Sequence, residues 1–358
     1  MSEALGTARL SRPPRMTPWG QSAYPPTQIA RLHDELDAIG QDAGTVLRAA
    51  QVSLSDVRSP DTRVTLQQIL AAYHAVAALA PNAEFAFLSG TRNKVTFFGM
   101  YGFAIMSAPD LGTMLRFIVE AQDLSAALVG LRVTHSPGEI AIRIDPFVHQ
   151  NIDARIHRFL VEETLGLLVT SFRDLVGSSF SPLQIRVALP AHLSTSRAAE
   201  LAGAPVHFEQ QRTEFVFDDA WLTEHLQFGN VVVHGSVSRT CHELLRELDA
   251  TNGLTGRVGE VLIAHRGVPQ PIDDIAERFE MSARSLRRKL QDEGTGYRHI
   301  SDTVRTQIAM KYLRDTTLSV EHISAVLGFD NSANFRRAFR RWTAHTPAEY
   351  RTSTALYP

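Results

Sequence analysis

Apolar positions along this chain follow two regimes. From Pro26 to Phe217, helix-spaced and strand-spaced runs are mixed. Helical spacing covers Pro26–Ile39 and Val64–Ala80, where Leu66, Ile69, Leu70, Tyr73, Val76 and Ala77 share one face. A polar, turn-rich stretch around Asp56–Asp61 separates the two, and Lys94–Met106 is dense in aromatics and glycine. Leu111–Leu128 reads as a helix opened by Asp110, whose carboxylate suits the free amides of a first turn. Leu131–Thr134 alternates, Ser136-Pro137-Gly138 turns and Glu139–Ile144 alternates again, which predicts a hairpin. A long helix over Ile152–Val176 follows, then a strand over Leu183–Leu189 and a short helix over Ser194–Leu201. Val206–Phe208 and Glu214–Phe217 read as further strands. Mixed elements with hairpin-like connections predict an α+β domain over residues 21–225. Residues 226–254 form a connector, with a helix over His234–Leu248. Asp249–Gly256, polar and holding two glycines, is the expected linker.

The second regime, residues 255–358, is helical throughout and contains a local repeat. Ile272–Leu290 and Val320–Phe339 follow one plan: a short helix with two apolar residues, a small residue (Ala276 or Ser324), a tight turn, a polar cap and a second helix. The small residue lets the second helix approach closely. In the second helices, Leu286 and Leu290, or Phe335, Phe339 and Trp342, form the inward stripe. What remains faces outward. Arg284, Arg287, Arg288 and Gln291 stand at i, i+3, i+4, i+7. Ser332, Asn334, Arg336, Arg337 and Arg340 lie on or near the outer side of the other helix. Arginine can donate twice to guanine, and Asn or Gln can pair with adenine, so such faces suit DNA. The same composition also makes an ordinary solvated surface. Two units in tandem, joined by a continuous helix through Val304, Ile308, Ala309, Tyr312 and Leu313, favour DNA. The expected bounds are about 272–293 for the first unit, 297–313 for the linker helix and 319–342 for the second. Reading helices that enter successive major grooves stand ~34 Å apart.

Charge supports this division. Residues 1–254 hold 20 Lys and Arg against 26 Asp and Glu, whereas residues 255–358 hold 16 against 12. A basic end on an acidic body suits a polyanion at that end alone. No apolar run approaches the ~20 residues of a membrane span, so no membrane role is expected. Residues 1–20, rich in Ser, Pro and Arg without an apolar core, read as a disordered tail rather than a secretory signal. The single cysteine, Cys241, can neither staple a fold nor build a thiolate zinc site, as expected for a cytoplasmic protein.

The C-terminal residues resemble the AraC/XylS transcription regulators. The carriers are Met281-Ser282, Leu286-Arg287-Arg288, Leu290 and Glu293-Gly294, then Arg305, Ala309 and Leu313, then Ile323 and Leu327-Gly328-Phe329. The run Phe335–Trp342 and the ending Thr346–Arg351 complete the match. The resemblance implies an all-α C-terminal domain with two helix-turn-helix subdomains joined by a linker helix. It points to Arg284, Arg287 and Arg288, then Ser332, Arg336 and Arg337, as DNA contacts. Glu280 departs from the family, which often has glycine in that turn. If the position needs a positive φ, the side chain costs on the order of 1 kcal/mol.

The preceding region resembles the arabinose-binding-type sensor and dimerisation domain of a branch of that family. Gly99–Phe103, Ser107–Leu111, Val206–Phe208 and Phe215–Phe217 carry the likeness. It implies a promoter-binding homodimer controlled by a small-molecule effector, meeting RNA polymerase if it activates. Phe97, Phe98, Tyr101 and Phe103 would suit an apolar effector pocket or an ordinary core. His135, His149, His157 and His207 lack ligand spacing on a common element, so no metal or cofactor is expected. No Gly-x-Ser-x-Gly elbow is present and a thiol-transfer domain would need more than Cys241, so no enzyme is expected. The alternative reading is an N-terminal domain that binds a protein partner instead of a metabolite.

Overall fold

The computed structural model describes residues 22–126, 128–146, 151–191, 193, 195–251, 253–293, 295–343 and 345–354. The expected tail and His149 lie outside them. Helices α1 (Thr27–Ala38), α2 (Gly44–Ala50), α3 (Leu54–Arg58), α4 (Leu66–Leu79), α5 (Phe85–Arg92), α6 (Gly99–Ser107) and α7 (Leu111–Ala121) come first. Asp110 opens α7 as expected, its carboxylate accepting from the Thr113 amide at 2.7 Å. The helix is shorter than the apolar run: it gives way to a 3-10 turn at Gln122–Ser125, and Ala126 sits at φ 53.

Strands β1 (Val129–Ser136) and β2 (Glu139–Pro146) form the hairpin, and α8 (Ala154–Val176) follows. Then come β3 (Gln184–Arg186), α9 (Thr195–Ala202), β4 (Val206–His207) and β5 (Glu214–Phe217). The sheet order is β1-β2-β5-β3-β4, antiparallel except for the β3–β4 pair. One inward row crosses all five strands: Val133 pairs with Ile142, Ile142 with Phe215, Phe215 with Ile185 and Ile185 with Val206. All five are buried, which is why a one-residue slip is not tolerated. Phe172 of α8 and Phe180 pack on this face, their rings 5.3 and 6.3 Å from that of Phe215. The strand expected over Leu183–Leu189 contracts to three residues, since only Gln184–Arg186 finds β5 opposite.

Helices α5 and α8 touch backbone to backbone. A Cβ on Gly90 would fall 1.9 Å from the Glu163 carbonyl oxygen, and one on Gly166 would fall 2.1 Å from that of Phe87. Beside this contact, Arg31 of α1 is buried with Glu35, Glu163 of α8, Tyr73 of α4 and Ser89 of α5. Its guanidinium donates to Glu35 at 3.1 Å and Ser89 at 3.2 Å, and pairs with Glu163, to which Tyr73 donates at 2.8 Å. Burying these charges is tolerable only because each has partners. The network ties four helices in one register.

Helix α10 (Val231–Thr251) lies along α6 and α7. His234 meets the Ala104 carbonyl at 2.9 Å, and His242 meets Glu120 at 2.8 Å. Expectation and structure part here. Asp249–Gly256 is not an extended linker: α10 runs through Thr251, and α11 (Gly253–Ala264) starts two residues later. A left-handed Gly253, φ 60, makes the corner. The remaining helices are α12 (Ile272–Arg278), α13 (Ala283–Asp292), α14 (Tyr297–Asp315), α15 (Val320–Val326), α16 (Ser332–Thr343) and α17 (Pro347–Thr354). Among the described residues, no helix is long and apolar enough to cross a membrane.

Two outcomes are expected. Gly90→Ala should destabilise by about 1–3 kcal/mol or more, because the neighbour it meets is backbone. Gly235→Ala, with open space around it in α10, should be neutral or stabilising. Thermal melting separates them. Burial pushes the Glu162 carboxyl up to about 8 against the opposing charge of Arg158. The folded state therefore holds a proton that the unfolded chain has lost, and stability falls as pH rises from about 4.5 to about 8. Denaturant titrations of Glu162→Gln across that window should show a flatter pH profile than the wild type.

Candidate nucleic-acid interface

The C-terminal helices form two small cores. The first collects Leu254, Val258 and Leu262 from α11, Ile275 and Ala276 from α12, Leu286 and Leu290 from α13, and Ile300 and Val304 from α14. The second collects Ala309, Met310 and Leu313 from α14 with Ile323, Leu327, Phe335 and Phe339. Ile308 packs against both. Each of α13 and α16 is thus anchored by a buried pair four apart, joined on α16 by Ala338 and the half-buried Trp342, and its arginines face outward.

The caps set where these helices begin. Ser282 accepts from the Ser285 amide at 3.2 Å to start α13, and Asn331 accepts from the Asn334 amide at 2.9 Å to start α16. Superposing the units on these caps places Leu286 with Phe335 and Leu290 with Phe339. The outward positions then correspond as Arg284 with Ala333, Arg287 with Arg336, Arg288 with Arg337 and Gln291 with Arg340.

On α13, Arg284, Arg287, Arg288 and Gln291 are all exposed. None has a hydrogen-bond or ion-pair partner among the described residues, so the face is available to a ligand. The α16 face is different. Arg336 pairs with Glu321 of α15 at 2.7 Å, and Arg337 donates to Asn334 at 2.6 Å. An exposed pair of this kind is worth about 0–1 kcal/mol, little hindrance to a guanine or phosphate. Arg340 is exposed. Ser332 and Asn334, expected among the contacts, are half-buried near the cap, and Asn334 serves to orient Arg337. Ala333 is exposed at the position equivalent to Arg284, a correspondence that aligning the caps with the buried pairs gives.

Two residues join the parts. Arg305 of α14 lays its guanidinium 3.7 Å from the centre of the Phe329 ring and donates to the Leu327 carbonyl at 3.1 Å. It fastens the linker helix to the turn of the second unit. Glu293, just past α13, accepts from the Leu254 and Thr255 amides at 2.7 and 2.8 Å and from the Thr255 hydroxyl at 2.6 Å. Burial alone would raise its pKa, but these hydrogen bonds hold it below the usual value. The end of the first reading helix thereby caps the start of α11.

The N-terminal candidates are scattered. Tyr101 is buried, stacked on Phe117 at 5.8 Å, and its hydroxyl donates to the Ile118 carbonyl. Phe98 meets the Tyr101 ring edge-on at 6.3 Å, whereas Phe97 is exposed. The three share no single environment. Among the described residues no group of His, Cys, Asp and Glu is placed to hold a metal ion; His135 instead pairs with Asp219 at 3.0 Å.

Residues 40–226 match the family model for the arabinose-binding domain of AraC transcription regulators, N-terminal, and residues 275–353 match a helix-turn-helix domain. The ornithine utilization regulator of Pseudomonas aeruginosa is 28% identical over 320 residues, spanning 89% of this chain and 94% of that protein. An HTH-type transcriptional regulator of Mycobacterium tuberculosis is 26% identical over 326 residues, covering 87% of this chain and 91% of that one. The crystal structure of the regulator CdpR from Pseudomonas aeruginosa superposes with a TM-score of 0.47 at 22% identity, over 91% of this chain and 98% of that one.

Glu280 occupies the turn of the first unit at φ 54, where the second unit has Gly328 at φ 70. Glu280→Gly should therefore raise the stability of the C-terminal helices by about 1 kcal/mol. Gly328→Ala should lower it, since its Cβ would press on Val268 at 3.2 Å. Melting of both variants, with opposite shifts, checks the pair.

Proposed function

Because the chain belongs to the AraC family of transcription regulators, we propose that it reads promoter DNA with α13 and α16 together, under control of a small molecule bound by the N-terminal region. The observation that carries the reading is the repeat itself: two equivalent caps, two equivalent buried pairs and two outward arginine faces built on one shared helix. Arg284, Arg287, Arg288 and Gln291 read one major groove. Ala333, Arg336, Arg337 and Arg340 read the next, with Ser332 and Asn334 at its edge. Arg288 and Arg337, at matched positions, serve as guanine or phosphate contacts, and Ala333 suits a thymine methyl.

Control runs through α10 in this proposal. The helix is docked on the N-terminal helices by His234 and His242 and turns at Gly253 into α11, whose first turn Glu293 holds to α13. A shift of α10 would reach the first reading helix through one corner and one carboxylate. A coupling of this kind is typically worth about 1–3 kcal/mol. Dimerisation is supported by an apolar patch. Phe228, Val231 and Val232 are exposed where α10 begins, beside α6 with its exposed Met100 and Phe103. Such a patch suits a second copy, and pairing would double the site. The alternative occupant, a protein partner that replaces the metabolite as the controlling input, would use the same α10 route.

We assign no catalytic role. The relatives are named as regulators, and burial pushes the Cys241 thiol up to about 11, away from a nucleophile at neutral pH. The work is binding at promoter DNA in the cytoplasm.

Arg288→Ala and Arg337→Ala should each cost about 1–3 kcal/mol of binding to the preferred duplex and relax base preference at one position. Selection of bound duplexes from a random pool, followed by affinity measurement, tests this. Unchanged affinity and preference in both variants would sink the contact assignment.

A further inference from the structure

Between the first half of α14 and the second reading unit lies a recess of about 680 Å³ whose floor holds Arg298 and Arg341, two cations that the reading above leaves without a role. One wall is the first half of α14, with Arg298, Ser301, Asp302 and Arg305. The other is α16, with Arg337 and Arg341. Four arginines against one aspartate make it strongly cationic. They are not equivalent. Arg305 is committed to Phe329 and the Leu327 carbonyl. Arg341 is held by Asp302 at 3.2 Å and leans on the Trp342 ring at 6.0 Å. Arg298 is exposed and has no hydrogen-bond or ion-pair partner among the described residues.

We propose that this recess seats backbone phosphates of the strand that passes between the two major grooves, with Arg298 and Arg341 as the clamps. The inference rests on the reading that α13 and α16 engage one duplex. A strand leaving one major groove for the next crosses the minor groove in front of whatever lies between the reading helices. Here that is α14, which joins the two units and walls a basic recess that shares Arg337 with the proposed reading face. A guanidinium binds phosphate through charge-assisted, often bidentate hydrogen bonds, and a backbone phosphate carries no base information. Asp302 would repel a phosphate if it stood alone. Paired with Arg341, it fixes that guanidinium at the mouth instead, which makes it a positioning residue.

The test uses the full chain and duplexes it selects from a random-sequence pool, with affinity followed across salt. Each phosphate contact contributes about 0.9 to the logarithmic salt slope. Arg298→Ala and Arg341→Ala should each shrink the affinity loss between 50 and 200 mM salt by about 3.5-fold. Base preference should be unchanged, and Arg341→Lys should restore the slope. Arg298 has no partner to lose, so matched melting curves keep that variant interpretable. Wild-type slopes in both alanine variants would overturn the proposal, as would altered base preference in Arg298→Ala. A free anion as the true occupant is tested by millimolar inorganic phosphate at constant ionic strength. Displacement of DNA by that phosphate, lost in Arg298→Ala while the salt slope stays intact, would also overturn it. If the wild type bound no duplex at all, the regulator reading and this inference would fall together.

Discussion

Helix α14 turns Ile300 and Val304 into the core of one reading unit and Ala309, Met310 and Leu313 into the core of the other. Ile308 belongs to both. Neither unit could close its core without this helix, and neither could move along it without exposing apolar surface worth roughly 25 cal/mol per Å². The spacing and relative rotation of α13 and α16 are consequences of that sharing. Arg305 adds a directional lock, since stacking on Phe329 and donating to the Leu327 carbonyl fix which side of the second unit faces the rod. The relative placement of the two outward arginine faces is therefore a property of the pair. A single helix of this composition would be a solvated surface.

The two arginine faces are prepared differently. Among the described residues the outward cations of α13 have no hydrogen-bond or ion-pair partner, while on α16 Glu321 and Asn334 hold Arg336 and Arg337. Weak exposed pairing of this sort orients a side chain without withholding it. A pre-oriented second face and an unpaired first one suit a protein whose first unit is the one connected to the N-terminal helices through Glu293 and Gly253. The strained turn at Glu280 lies in the same first unit.

Much of the N-terminal architecture was legible from spacing. The hairpin, the long helix α8, the strand Glu214–Phe217 and the cap at Asp110 all follow local rules: alternation, a turn dipeptide, a carboxylate before an apolar run. The misses have non-local causes. Leu183–Leu189 alternates for seven residues but pairs for three, because strand length is set by the partner opposite. Asp249–Gly256 has linker composition, yet helix claims both sides of it once Glu293 caps α11 from 38 residues away in sequence. Nothing in the sequence marks Arg31 and Glu163 as neighbours. They meet through packing, beside the backbone contact that Gly90 and Gly166 allow between α5 and α8.

For the outward faces of α13 and α16, the sequence by itself determined the chemistry. Periodicity separates the buried pairs from the outward arginines, caps locate the helix starts, and the repeat announces two units. That succeeds because a helix face is a local property with a 3.6-residue period. Which of those cations are held by neighbouring side chains only the packed structure decided. So it was with Arg298 and Arg341, 43 residues apart and lining one recess. Contacts between elements depend on how cores close, and core closure is a property of the whole chain that no window of sequence contains.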